Sequence, residues 1–315
     1  MSALDVVGLG LSTLDILVRL TEFPTWERGT QLASCRLDGG GPVGTAMVAA
    51  ARLGARAGYV GIAGTDRMAE LKLETMVAAG VDLSHLVRRE GPEGAVILVA
   101  VHEQTGERVF SALRGLHERE LTPEELDPGY ILSADYLHLD GSHQAAALVA
   151  AEWMQAAGKT VVYDGGKTEG ALPEITRQVI SRVDVLIGGQ GFVPALTGES
   201  DVVRAGRAAL ALGPRIVVQT AGDDGSWTTA ADDEFATPSF AVDVVDTTGA
   251  GDVFHGAYIV GLLHGWDLRQ TALFAAAVAA IKCTCLGGRL GIPSLAQALA
   301  FLHERGIDLP CEAER

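Results

Sequence analysis

The residues best suited to chemistry lie together at 246–256, DTTGAGDVFHG. Gly249, Ala250 and Gly251 put almost no side chain in front of an acid, Asp252. An apolar run follows in which Val253, Ala257 and Val260 share one helical face. The preceding SFAVDVV reads as a strand. A helix that starts at such a turn presents the backbone N–H groups of Gly249, Ala250 and Gly251 without intrahelical acceptors, and its dipole adds positive charge there. Small residues let an anion approach that backbone. An acid in the first turn, beside a bound phosphate, can take the proton of a hydroxyl that attacks the phosphoryl group. Such help is worth about 10²–10⁴-fold in rate, and the backbone donors stabilise transition-state charge. Taken alone, GAGD serves equally well as an acid that merely complements the helix dipole.

The elements that must position this turn alternate. Strands are expected at 4–10, 57–64, 135–140, 159–165, 184–189 and 215–222. Amphipathic helices lie between them: Ala46, Ala49, Ala50 and Leu53 follow the i, i+3, i+4, i+7 rule, as do Leu273, Ala276, Ala277, Ala280 and Ile281 near the end. Strand–helix alternation predicts an α/β three-layer sandwich with a mostly parallel central sheet. Two regions break the pattern. Residues 12–38 look extended, and 94–112 read as a β-hairpin turning at 104–106. Both suit a small accessory sheet, built from about 12–38 and 94–114, on a single domain covering 1–315.

Composition narrows the partners. A net charge of −16 over 315 residues argues against nucleic acid or an anionic membrane, though not against a phosphorylated ligand at a local site. Cys35, Cys283, Cys285 and Cys311 show neither a C-x-x-C pair nor metal-ligand spacing, so a reducing, cytoplasmic setting is expected. The N-terminus lacks a basic region ahead of an apolar core, and TALFAAAVAAI is too short to span a bilayer. The tail after Leu309 is polar and expected to be loose.

Taken together, three motifs in order resemble the ribokinase (PfkB) family of ATP-dependent carbohydrate kinases. They are GGGPVGTAMVAAARLG at 39–54, VVQTAGDDGSW at 217–227 and DTTGAGD at 246–252. The resemblance covers nearly the whole chain and implies ATP with Mg²⁺. It implies Asp252 as catalytic base, with Gly249, Ala250 and Gly251 as the anion hole. Asp15, Gly40, Gly41 and Thr45 would meet the sugar, and Thr220, Gly222, Gly225 and Gly251 the ATP. Asp246, with Gly287, Gly288 and Arg289, falls where relatives often hold a monovalent cation such as K⁺. The accessory sheet would be a lid that closes the sugar site and joins two copies in a homodimer. The chain departs from the family pattern at Thr45, where many relatives carry Asn. It departs again at Gly189 and Phe192, where an N-x-x-E motif is usual. A D-x-N-x-R pattern survives only as Asp164, followed by Gly166 and Thr168.

The stretches VDVVDTTGAGDVFHGA and KCTCLGGRLGIP look most like the sulfofructose kinase branch, which phosphorylates the 1-hydroxyl of a fructose-like sugar bearing a sulfonate. An anionic acceptor needs local cations. Arg28, Arg108, Arg114 and Lys167 are the candidates, with Arg114 taken as the one for the sugar site, while Ser142 and His143 stand where that branch suggests an arginine. A neutral ketose or other polyol fits the sequence equally. A nucleoside acceptor calls for an aromatic clamp, and the hairpin offers only Phe110. A catalytically silent sugar sensor would have no need for both the acid and the turn. His255 is expected to be a satisfied polar residue on its helix.

Overall fold

The computed structural model describes residues 4–114, 119–168 and 170–310; Cys311 and the rest of the polar tail lie outside them. In chain order the first half runs β1 (Val6–Leu9), β2 (Thr13–Leu20), β3 (Ser34–Gly40), α1 (Pro42–Arg52), β4 (Ala57–Val60), β5 (Ile62–Ala63), α2 (Arg67–Ala78), β6 (Val87–Arg88), β7 (Val96–His102) and β8 (Arg108–Ala112). It continues with α3 (Pro128–Ile131), β9 (Tyr136–Leu139), α4 (Gln144–Ala156), β10 (Thr160–Asp164), α5 (Glu174–Ile180), β11 (Val185–Gly188), α6 (Phe192–Thr197) and α7 (Val202–Leu210). The last part is β12 (Ile216–Thr220), β13 (Ser226–Ala230), β14 (Glu234–Thr237), α8 (Ala250–Leu263), α9 (Leu268–Cys283) and α10 (Leu295–His303).

The main sheet has the order β14-β13-β12-β11-β10-β9-β1-β4. It is parallel from β12 to β4 and ends in the antiparallel β13 and β14. Because successive side chains point to opposite faces, Val6, Val162, Val185, Ile187 and Val218 pack under α1, α8 and α9. Val7, Leu9, Leu137, Leu139, Val161, Tyr163 and Leu186 pack under α4 and α7 on the other face. This is the expected three-layer sandwich. β1 lies between β4 and β9, so the chain leaves it toward one side and later returns on the other. A crevice forms at such a switch point, beyond the carboxyl ends of the strands.

The accessory regions form a separate sheet of order β3-β2-β7-β8. Leu17, Val99 and Val101 on its inner face pack with Leu286 of the C-terminal loop. The outer face exposes Leu37, Leu98 and Val109.

Two local expectations are corrected. SFAVDVV is not a strand: β14 ends at Thr237, and 238–245 join no ladder. The N–H groups of Val245 and Asp246 bond instead to the carbonyl of Cys283 at the end of α9, and Val244 and Val245 stay exposed. In α9 the buried positions are Thr271, Ala272, Phe274, Ala275, Ala277, Val278, Lys282 and Cys283. Most of the stripe expected from periodicity (Leu273, Ala276, Ala280, Ile281) is only partly buried. Alanine all round the helix blurs the sequence signal, and packing against α8 chooses the face.

Candidate active site

The site forms where β1, β9 and β10 end. Asp140 follows β9, and its Oδ2 accepts a hydrogen bond from the Leu11 N–H at 2.9 Å while Oδ1 accepts from the Ser142 N–H at 2.7 Å. One side chain thereby bridges the switch point. Asp164 ends β10, and its Oδ1 accepts from the Gly166 N–H at 2.7 Å. Asp140 was not singled out from the sequence. The available signal was an acid at the end of an apolar strand, followed by glycine, in both LHLDG and VVYDG.

Asp15 lies on β2, 5 % exposed, and its Oδ1 accepts from the Thr13 hydroxyl at 2.7 Å. Burial pushes its carboxyl up to about 6, against the pull of Thr13 and Arg289. Gly40 sits against it: a Cβ there would lie 2.2 Å from Asp15 Oδ2. Gly41 adopts φ 83° as it caps α1, and a side chain there would strike Leu11 and Ser12. Thr45 is buried under this loop, with its hydroxyl 3.4 Å from the Arg289 Nε.

Arg289 occupies the space that the glycines leave. It is 1 % exposed and donates to Ser12 Oγ at 2.9 Å, to the Gly40 carbonyl at 2.5 Å and to Thr75 Oγ1 at 3.0 Å. Its backbone N–H donates to Asp38 Oδ2 at 2.9 Å. A Cβ at Gly39 or Gly44 would overlap the guanidinium. The C-terminal loop is therefore pinned to the glycines at 39–44 by one buried cation, a role that the sequence did not disclose.

Gly249 caps α8 with φ 74°, and Asp252 falls in the first turn. The Ala250 N–H, expected to be open, makes a 3.3 Å turn bond to Thr247. Gly251 is exposed, and a Cβ there would meet nothing within 4 Å. α8 is seated by Gly256, where a Cβ would lie 2.3 Å from the Ala46 carbonyl of α1. Burial raises the Asp252 carboxyl to about 7, and repulsion from Asp164, Asp15 and Asp140 adds to this, with Arg289 opposing. Carboxyls on β2, β10 and α8, with Asp140 just beyond β9, are thus near enough to act on one another electrostatically.

Asp246 is 2 % exposed and ties its own loop. Oδ1 accepts from the Thr248 N–H and hydroxyl at 2.8 and 2.7 Å, and Oδ2 from the Gly287 N–H at 2.9 Å. Burial alone would raise its carboxyl; the Gly287 donor, Lys282 and Thr248 outweigh burial and hold it low. The buried Lys282 ammonium donates to the Asp246 carbonyl at 2.9 Å.

Thr220 ends β12, with its hydroxyl 3.4 Å from the Gly188 carbonyl. Gly222 (φ 65°) opens the following turn, and Gly225 (φ 86°) packs on the Thr237 carbonyl, where no side chain fits. The departures at 189 and 192 have a structural counterpart. A Cβ on Gly189 would lie 2.5 Å from the Gly166 carbonyl, and the buried Phe192 ring fills the space over Gly165.

Of the cations considered for the acceptor, Arg28 pairs with Glu22 and Arg108 donates to Thr247. Arg114 is exposed, two residues beyond β8. A cavity of about 260 Å³ opens beside Ser12, between the ends of β1, β4 and β9, with Glu93, Arg119, Glu120 and His143 in its wall. Its floor is held by a buried Lys72–Glu93 pair at 2.7 Å.

This fold and site define a phosphoryl-transferring kinase, and the comparisons agree. Residues 6–295 match the pfkB family of carbohydrate kinases. The chain is 30 % identical over 300 residues to the ATP-dependent ribose-1-phosphate kinase of Halopiger xanaduensis, covering 95 % of this chain and 98 % of the relative. It is 27 % identical over 321 residues to the 5-dehydro-2-deoxygluconokinase of Shouchella clausii, covering 96 % and 97 %. A crystal structure of a ribokinase-type protein from Agrobacterium tumefaciens superposes with a TM-score of 0.85 at 26 % identity, covering 96 % and 98 %. The chain belongs to the pfkB family of carbohydrate kinases and is an ATP-dependent kinase of that family.

Proposed function

We propose that this kinase transfers the γ-phosphoryl group of Mg·ATP to a primary hydroxyl of a neutral, ketose-like sugar, with Asp252 as general base. The observation that supports this reading is Asp252 in the first turn of α8, close enough to Asp164, Asp15 and Asp140 for their charges to raise its carboxyl further. The phosphate lies at the N-terminus of α8, where Gly251 leaves the backbone accessible. Mg²⁺ supplies charge neutralisation on the phosphates when bound. The β12–β13 turn with Thr220, Gly222 and Gly225 borders the adenosine. Asp15 and the Gly40 and Gly41 backbone hold the acceptor hydroxyls, and Thr45 supports them from below. The acceptor's far end enters the cavity beside Ser12. Acids flank Arg119 there, and Arg28 and Arg108 are engaged elsewhere, so a neutral sugar fits this wall better than a sulfonate. Lys282 supplies the positive charge beneath the Asp246 loop, so the enzyme works without added K⁺.

The lid joins two copies through its outer face, where Leu37, Leu98 and Val109 are exposed together. The setting is cytoplasmic: Cys35, Cys283 and Cys285 are unpaired, and no helix among the described residues is long and apolar enough to cross a membrane.

The test is ADP release with Mg·ATP across fructose, sulfofructose, ribose, 2-keto-3-deoxygluconate, fructose 6-phosphate and adenosine. We expect one neutral ketose to dominate and Asp252→Asn to cut its turnover by about 10²-fold or more. Preference for adenosine or sulfofructose would overturn the acceptor assignment, and a fully active Asn variant the mechanism.

A further inference from the structure

We infer that His138, Asp164 and His255 form a buried site for a divalent transition ion of the zinc class, in the core beneath the catalytic turn. Three elements bring them together. His138 on β9 is in register with Val162 on β10, and Val162 faces the α1/α8 layer. Asp164, two residues on, points to the same side. α8 lays His255 over both, with the His138 and His255 ring centroids 5.4 Å apart.

The three side chains are almost closed to solvent, at 0 %, 6 % and 3 % exposure. Neither ring nitrogen of His138 has a hydrogen-bond partner, and nor does Nδ1 of His255. The Val162 backbone lies beside the His138 ring and favours its protonated form, against the larger opposing effects of burial and of His255. Buried polar nitrogens without a side-chain partner are unfavourable, so their gathering in one place calls for an explanation.

Distances supply one. One ligand atom from each residue lies within 4.8 Å of the others. His255 Nε2 and Asp164 Oδ1 are 3.5 Å apart. That exceeds a charge-assisted hydrogen bond of about 2.7–2.9 Å. It is close to the edge of a tetrahedron with bonds of about 2.0–2.1 Å, which is roughly 3.3–3.4 Å. Burial pushes the protonation of both imidazoles down, and the neutral ring is the metal-binding form. Two imidazoles and one carboxylate select Zn²⁺, Co²⁺ or a similar ion over Mg²⁺, which prefers oxygen alone. Three protein ligands leave one position open. The ion would staple β9, β10 and α8 together one helical turn from Asp252.

The experiment uses the whole protein, stripped with a chelator, free of nucleotide and titrated with Co²⁺ in excess Mg²⁺. We expect one Co²⁺ per chain, giving the intense visible d–d absorption of a low-coordinate ion. Mg²⁺ should not displace it, Zn²⁺ should, and the melting temperature should rise on binding. His138→Asn, His255→Asn and Asp164→Asn should each weaken binding more than about tenfold. Should these variants fail to fold, the wild-type spectrum decides alone. Only the weak band of hexa-aquo Co²⁺, loss of Co²⁺ to Mg²⁺, or an unchanged spectrum in a folded histidine variant would overturn the site. Kinase activity enters none of these readouts, so failure here is distinguishable from failure of the acceptor assignment.

Discussion

Asp252 illustrates how one residue is made useful by its surroundings. A carboxyl near its ordinary value would be a weak base; burial and the carboxyls of Asp164, Asp15 and Asp140 lift this one to about 7. The base must be ionised, so the free enzyme's kcat/KM should fall about tenfold per unit as pH drops below about 7. A pH–rate profile checks this, and a flat profile through that range would remove Asp252 as base. Asp252→Asn should reduce kcat by about 10²-fold or more while ATP binding persists, measured by calorimetry. The same residue has a stability consequence. Its proton is held more tightly in the folded state than in the unfolded one. Its contribution therefore favours folding below the unfolded pKa and is lost as pH rises through the folded value. Asp252→Asn should consequently melt higher than the parent above about pH 7, by about 2–4 °C for each kcal/mol relieved. The gap should close as pH falls toward about 4. Equal melting temperatures at alkaline pH would contradict the burial argument.

At the scale of elements, the N-terminus of α8 is held from three sides. α1 meets it through Gly256, Gly249 packs on Gly288, and Lys282 of α9 binds the Asp246 carbonyl. In the proposed reading Lys282 is a positioning residue that takes a bound cation's place beside the Asp246 carbonyl. Lys282→Met should lower kcat at least tenfold, on the order of one charge-assisted hydrogen bond, with little change in the KM for the sugar. Added K⁺ or a small alkylammonium ion should restore part of the rate, whereas the parent should run equally fast in Na⁺ and K⁺. A strong K⁺ requirement in the parent enzyme would show that the lysine does not fill this role.

In the proposed reading the whole molecule sets the acceptor residues, the β12–β13 turn and the accessory sheet around one crevice. The accessory sheet's inner face packs on Leu286, and Arg108 reaches Thr247, so that sheet and the 246–252 loop touch. Its outer face leaves Leu37, Leu98 and Val109 in solvent, an arrangement that a second copy would cover. Leu98→Lys combined with Val109→Lys should convert a dimer into a monomer in analytical ultracentrifugation and raise the KM for the sugar. A parent protein that sediments as a monomer would rule out this interface.

The sequence alone determined what is written in contiguous residues. Strand–helix alternation predicted the sandwich, and the break in pattern at 94–112 predicted the hairpin, now seen as β7 and β8. The run 246–252 disclosed a bare turn with an acid behind it, because turn geometry and helix caps are short-range. Tertiary structure decided the rest. Asp140 reaches Leu11 across 129 positions of chain, and Arg289 joins Ser12 across 277. Such partners are set by strand order and helix packing, which no local pattern records. SFAVDVV was misread for the same reason: its composition suits a strand, but its backbone partner is the end of α9. His255 was expected to be satisfied on its helix, yet it lies beside His138 and Asp164 with one nitrogen unpaired. Whether a buried polar group finds a partner depends on what the other elements bring to it, and that is decided only when they pack.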